Sequence, residues 1–150
     1  MRANRLLWGE GMFLRPQHFQ QQALFTEQAI AQLSHQIHAY PWGVRKVEID
    51  IEALRAGQVC VNALELVYQD GVYVNAPGNE PLPAARNLKD IAQAGTETLV
   101  FACLPTLNAF GGNSSAPNAA TARPARFSSE LVAIPDLYTN ALETEVPALR

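Results

Sequence analysis

The chain has no excess of basic charge, few cysteines, few histidines and no long apolar run, and each shortage closes a class of function. Eleven Lys and Arg against fourteen Asp and Glu leave a net charge of −3. A chain this weakly acidic, with no basic stripe and no interleaved aromatic and basic residues, carries no electrostatic footprint for nucleic acid. Two cysteines, Cys60 and Cys103, cannot make a disulfide framework, and both lie in apolar, strand-like runs that suit buried reduced thiols. Three histidines are too few and too scattered for metal. His35 and His38 could share a helix face, but no further Cys, His, Asp or Glu has the spacing to complete a set. The apolar runs are too short to span a bilayer, and Gly9 and Glu10 stop Leu6-Leu7-Trp8 far short of a signal-peptide core. The chain reads as a cytoplasmic protein with neither cofactor nor metal.

Catalytic constellations are missing as well. The serines have no nucleophile-elbow context, and the glycine-rich stretch 111–115 has neither the lysine nor the strand-turn-helix setting of a phosphate loop. Glu48, Asp50 and Glu52 alternate with Val47, Ile49 and Ile51, which is the pattern of a strand's solvent face and not of an acid-base pair in a cleft. These features describe a protein that is not an enzyme.

What remains is an ordinary globular composition, 48% hydrophobic and 17% charged, enough for one domain over 1–150 with a core of its own. Residues 1–15 form an N-terminal arm. Residues 16–39 have helical periodicity, with Pro16 suited to the first turn and Pro41 closing the run. Phe19, Ala23, Thr26, Ile30, Leu33 and Ile37 make a short heptad-like seam, which suits either the chain's own sheet or a neighbouring helix.

From residue 44 to 150 the chain reads as strands. Alternation over 47–51 predicts a half-buried strand, a turn follows at Ala56-Gly57, and a change of phase near Ala63 predicts a bulge or a bend. Asp70-Gly71 between two apolar runs is the strongest hairpin signal in the chain. Three prolines in 77–83 predict a loop, 87–93 a short helical turn, 98–104 a fully buried strand and 131–134 another strand. Residues 108–124, rich in Gly, Asn, Ser, Ala and Pro, predict a mobile loop. The chain stops at Arg150 where a further strand is expected, and so reads as the N-terminal piece of something longer.

The densest signal is in residues 7–22. Trp8, Met12, Phe13 and Leu14 are apolar side chains each worth about 1.5–3 kcal/mol on full burial, and they crowd between Gly9 and Gly11. A terminal arm packed on its own core and a partner-binding arm both fit. The run 8–20, Trp-Gly-Glu-Gly-Met-Phe-Leu-Arg-Pro-Gln-His-Phe-Gln, resembles the opening signature of the TssK family, the trimeric baseplate component of bacterial type VI secretion systems. The resemblance continues through Trp42-Gly43, the strand over 47–51, the hairpin at Asp70-Gly71 and the proline-rich loop, to about Leu104. It implies an antiparallel β-sandwich of the phage receptor-binding-protein shoulder type with one N-terminal amphipathic helix. It also implies a structural adaptor that docks on the baseplate wedge. In the longer family a helical neck trimerises and a head meets the membrane complex, and both lie outside these 150 residues.

On that footing Trp8, Met12, Phe13 and Leu14 are expected as apolar anchors for wedge proteins, and Glu10, Arg15, Gln17 and His18 as orienting polar contacts. The other reading of a sandwich with this ancestry is a ligand-binding or carbohydrate-binding domain, which an exposed aromatic platform on the sheet would favour.

Overall fold

The computed structural model describes residues 3–88, 97–116, 124–139 and 141–149. These divide into two compact units, one running to Ala102 and the other starting at Cys103. The architecture is mainly β, in antiparallel sheets with one long N-terminal helix, as expected from the sequence.

In the first unit, helix α1 (Pro16–Ile37) is followed by strand β1 (Gly43–Ile49), the short helix α2 (Ile51–Arg55), and strands β2 (Gln58–Val59), β3 (Val61–Val67), β4 (Tyr73–Ala76) and β5 (Arg86–Asn87). Strands β1, β3 and β4 form an antiparallel sheet in that order, and β2 pairs with β5. The register explains which side chains are dry. Val44 and Val47 oppose Leu66 and Leu64, which in turn oppose Val74 and Ala76, so these six share one face. On that face Leu64, Leu66 and Ala76 are buried, with Val61, Tyr68 and Val74 packed against them. The other face is polar. Lys46 Nζ meets Glu48 Oε1 at 2.8 Å and the Tyr73 hydroxyl donates to Glu65 at 3.1 Å. The hydrogen bond to Glu48 raises the Lys46 pKa above the usual lysine value, and partial loss of solvent, then the bond to Glu65, raises that of Tyr73.

The phase change near Ala63 is a bulge. Glu48 pairs with Ala63 and Ile49 with Val61, so Asn62 has no opposite number, and a second irregularity places Arg45 between Val44 and Lys46. The hairpin at Asp70-Gly71 is also present, built on three loop residues. The Tyr68 N–H donates to Val72 O at 2.8 Å and the Gly71 N–H to Tyr68 O at 2.9 Å. Gly71 has φ 89°, the left-handed position that a turn followed by a bulge requires and that glycine tolerates best.

Strand β1 ends at Ile49, short of the expected 47–51, because Asp50 acts as an N-cap. Its Oδ1 accepts the Ala53 N–H at 2.9 Å and opens α2. Glu52 then pairs with Arg55 at 2.6 Å one turn on, and Gly57 at φ 88° closes the helix by donating to Leu54 O. Glu48, Asp50 and Glu52 therefore do not line one strand face.

The seam of α1 faces outward. Phe19, Ile30, Leu33 and Ile37 are exposed, and the less exposed positions are His18, Gln21, Leu24, Phe25, Gln28, Ala31 and Ser34 on the opposite side. On that side the helix meets the hairpin turn, where a small side chain is needed. A Cβ on Gly71 would stand 2.7 Å from the Ala31 Cβ, and His35 Nε2 lies 3.3 Å from Gln69 O.

The expected buried strand over 98–104 is not one. Residues 97–104 have no regular structure, and Leu99, Val100 and Phe101 are exposed. The apolar run straddles the division between the two units at Ala102 and Cys103, and apolar composition alone does not provide the neighbouring ladder that makes a strand. Neither cysteine is fully buried: Cys60 is half-buried and Cys103 exposed, and neither is in a disulfide. Of the helical turn expected over 87–93, Asn87 belongs to β5, and 89–93 lie outside the described residues.

The second unit holds strands β6 (Ser114–Ser115), β7 (Phe127–Ile134) and β8 (Thr144–Leu149). Strand β7 covers the run expected at 131–134. It pairs with β6 in parallel and with β8 antiparallel, where Pro147 is tolerated because β8 is an edge. The first part of the expected loop over 108–124 is organised. The Asn108 N–H donates to Asn113 Oδ1 at 2.6 Å, Asn113 Nδ2 donates to Asn108 O at 2.9 Å, and β6 follows. Residues 117–123 lie outside the described residues.

Candidate functional site

The arm is held at both ends and open in between. At its start Ala3 is buried, and its N–H donates to Gln28 Oε1 at 2.8 Å, on the middle of α1. At its end Arg15 takes the N-cap position with extended backbone, and Pro16 opens the helix. The chain from 3 to 15 therefore runs back along the first half of α1 to enter that same helix. A turn takes up the slack: the Met12 N–H points to Gly9 O at 3.4 Å, and Gly11 adopts φ 73°.

The cap itself is unusual. A guanidinium has no acceptor, so Arg15 cannot satisfy a helix N–H with its side chain, and none of its side-chain atoms does. The bond is made in the other direction, with the Arg15 N–H donating to His18 Nδ1 at 3.0 Å and the His18 N–H to Arg15 O at 3.0 Å. The indole of Trp8 lies against the His18 ring, centroids 6.2 Å apart and planes 43° apart, within the range of favourable aromatic pairs.

Of the eight residues singled out in the sequence, Trp8, Glu10, Phe13, Leu14, Arg15 and Gln17 are exposed, and Met12 and His18 are half-buried. The arm brings all eight into one continuous segment at the head of α1. Phe13 is 80% exposed and Trp8 49%. One residue that belongs with them was missed: Leu7, 90% exposed. The signal is in the sequence, since Leu7 opens the dense run 7–22 directly before Trp8.

A second aromatic feature lies where β1 begins. Tyr40 and Trp42 pack edge to face, centroids 6.3 Å apart and planes 83° apart. They border an open cleft of about 330 Å³ together with His38, Arg45 and Val67. At that angle the two rings make no shared flat platform of the kind a sugar-binding sheet would present. Among the described residues no three His, Cys, Asp or Glu gather as a metal-ligand set, and no helix is long and apolar enough to cross a membrane.

Comparison with known proteins agrees with the signature. Residues 18–150 match the family described as bacterial type VI secretion, VC_A0110, EvfL, ImpJ, VasE. The chain is 31% identical over 144 residues to the type VI secretion system baseplate component TssK1 of Pseudomonas aeruginosa, covering 96% of this chain and 31% of that protein. Among solved structures it is similar to a chain of a TssK-TssF-TssG baseplate subcomplex, with TM-score 0.78 and 30% identity, covering all of this chain and 49% of the other. It is also similar to a chain of the type VI secretion baseplate complex, with TM-score 0.76 and 27% identity, covering 47% of that chain. The chain thus spans 31–49% of the length of these relatives, and it belongs to the TssK family of type VI secretion baseplate components.

Proposed function

We propose that this chain is a structural docking module of the type VI secretion baseplate, seated on the baseplate wedge through its N-terminal arm and performing no chemistry of its own. The observation that carries this reading is the exposure of Leu7, Trp8, Phe13 and Leu14 on a segment whose two ends are fixed to α1. Large apolar side chains on a tethered, shaped segment are what a partner's pockets take up, and aromatic residues dominate such contacts. Glu10, Arg15 and Gln17, exposed among them, supply polar contacts that set register. Met12, half-buried, supports the turn from within. A relative assembled with TssF and TssG supports wedge proteins as the partner. In the full-length family the trimer and the link to the membrane complex run through sequence beyond these residues, with the whole assembly on the cytoplasmic face of the inner membrane.

The test is the affinity of the Trp8→Ala variant for a TssF–TssG complex from the same organism. Loss of a central aromatic anchor is expected to cost on the order of 2 kcal/mol, roughly thirtyfold in Kd, with the thermal midpoint unchanged. An unchanged Kd with a lowered midpoint would mean that Trp8 supports the fold and not the contact.

A further inference from the structure

We infer that His18 is a positioning residue: it locks the arm in its docking shape by capping α1 with one ring nitrogen and carrying Trp8 on its ring, and does not itself meet the partner. This rests on the docking role proposed for the arm and specifies how that role is built.

Helices leave their first N–H groups without intrahelical partners, and a side-chain acceptor at the N-cap usually satisfies one of them. Here the N-cap is Arg15, which can accept nothing, and the next residue is Pro16, which has no N–H to offer. The remaining way to fix the entry of the chain is from inside the helix, three residues on, where Glu or Gln stands in an ordinary capping box. His18 occupies that place, and its Nδ1 accepts the Arg15 N–H at 3.0 Å. An accepting Nδ1 puts the ring hydrogen on Nε2 and leaves the imidazole neutral. It also fixes the plane of the ring.

The Trp8 indole packs beside that ring, tilted at 43° to it with centroids 6.2 Å apart. One side chain therefore ties residue 15 through its backbone and residue 8 through its indole, and closes the loop that turns at Gly9 and Gly11. Glutamate or glutamine could make the cap but could not carry the indole; phenylalanine could carry the indole but could not make the cap. Histidine does both. The consequence for binding is preorganisation, since an arm already in its bound shape loses less freedom when it docks. The His18 ring is half-buried and Trp8 beside it is 49% exposed, so the ring supports the contact surface and the indole belongs to it.

The experiment uses the whole chain and a TssF–TssG complex. His18→Ala is expected to weaken binding about tenfold, the combined effect of a lost cap and a lost aromatic pair. His18→Asn keeps an acceptor near the Nδ1 position and is expected to restore part of that loss; His18→Phe, which keeps only the ring, is expected to restore the other part. In a Trp8→Ala background, His18→Ala is expected to add no more than about threefold, since the indole it supports is gone.

A spectroscopic readout separates failure of this inference from failure of the docking role. With Trp42→Phe leaving Trp8 as the sole indole, the Trp8 emission maximum and near-ultraviolet circular dichroism of the free chain are expected to change in His18→Ala, and to be largely kept in His18→Phe. If this spectral change is present but Trp8→Ala binds TssF–TssG normally, the docking role of Trp8 fails and the His18 geometry stands. If the change is absent, or if His18→Ala costs the same with and without Trp8, the inference is overturned and His18 either contacts the partner directly or has no part in docking.

Discussion

In β3 and β4, Leu64, Leu66 and Ala76 are buried, Leu66 to 4% exposure, whereas Leu7 and Phe13 on the arm stand 90% and 80% exposed. The residue types are nearly the same; the difference is in what surrounds the backbone. Strand β3 has a hydrogen-bonded neighbour on each side, and its inward Leu64 and Leu66 pack with Ala76 and Val74 of β4. The arm is attached at Ala3 and Arg15 and touches the helix mainly through Trp8 and His18. Apolar surface on the sheet holds the unit together, and apolar surface on the arm is available to something else.

Mutation is the plainest way to break that comparison. Leu66→Ala is expected to destabilise the chain by about 3 kcal/mol, through lost burial and the cavity left behind. The same truncation at Leu7 is expected to change stability by no more than about 0.5 kcal/mol. Denaturant unfolding of the two variants checks this, and equal losses would show the arm to be part of the core.

A smaller effect sharpens the comparison at the backbone. Gly71 in the hairpin and Gly11 in the arm both have positive φ, but only at Gly71 would an added Cβ meet a neighbour, 2.7 Å from the Ala31 Cβ. Alanine at Gly11 is expected to cost about 1 kcal/mol, the strain of a left-handed backbone alone. Alanine at Gly71 is expected to cost about 1–3 kcal/mol, strain plus overlap. Recovery of part of the Gly71→Ala loss by Ala31→Gly would identify the helix–hairpin contact as its source. No recovery would mean that the helix simply moves aside.

Where local rules act on adjacent residues, the fold was legible in the sequence. The helix start at Pro16, the hairpin at Asp70-Gly71 and the bulge beside Ala63 all follow from short-range chemistry and all occur. The run 98–104 misled because six consecutive apolar residues after Thr98 specify burial without specifying a partner, and no strand forms there. Strand β8 was missed for the opposite reason: Pro147 interrupts its pattern and is compatible with a strand only at an edge, which the sequence does not reveal. Asp50 read as one of three carboxylates on a strand, but as the cap of a five-residue helix it ends that strand.

The candidate site divides the same way. Its residues were legible as a cluster of costly side chains between two glycines, but their arrangement was not. That Arg15 would fall at the N-cap, where its side chain is useless, and that His18 would make the bond in its place, depends on where the helix begins to within one residue.

If the arm is the surface a baseplate partner covers, amide hydrogen exchange along the chain, with and without TssF–TssG, will register it residue by residue. In the free protein residues 7–14 are expected to exchange fast and residues 64–67 slowly, because only the latter lie in a paired ladder over buried side chains. At saturating TssF–TssG the arm is expected to become protected while β3 is unchanged. An arm that still exchanges fast in the saturated complex, or one already as protected as β3 when free, would contradict the account.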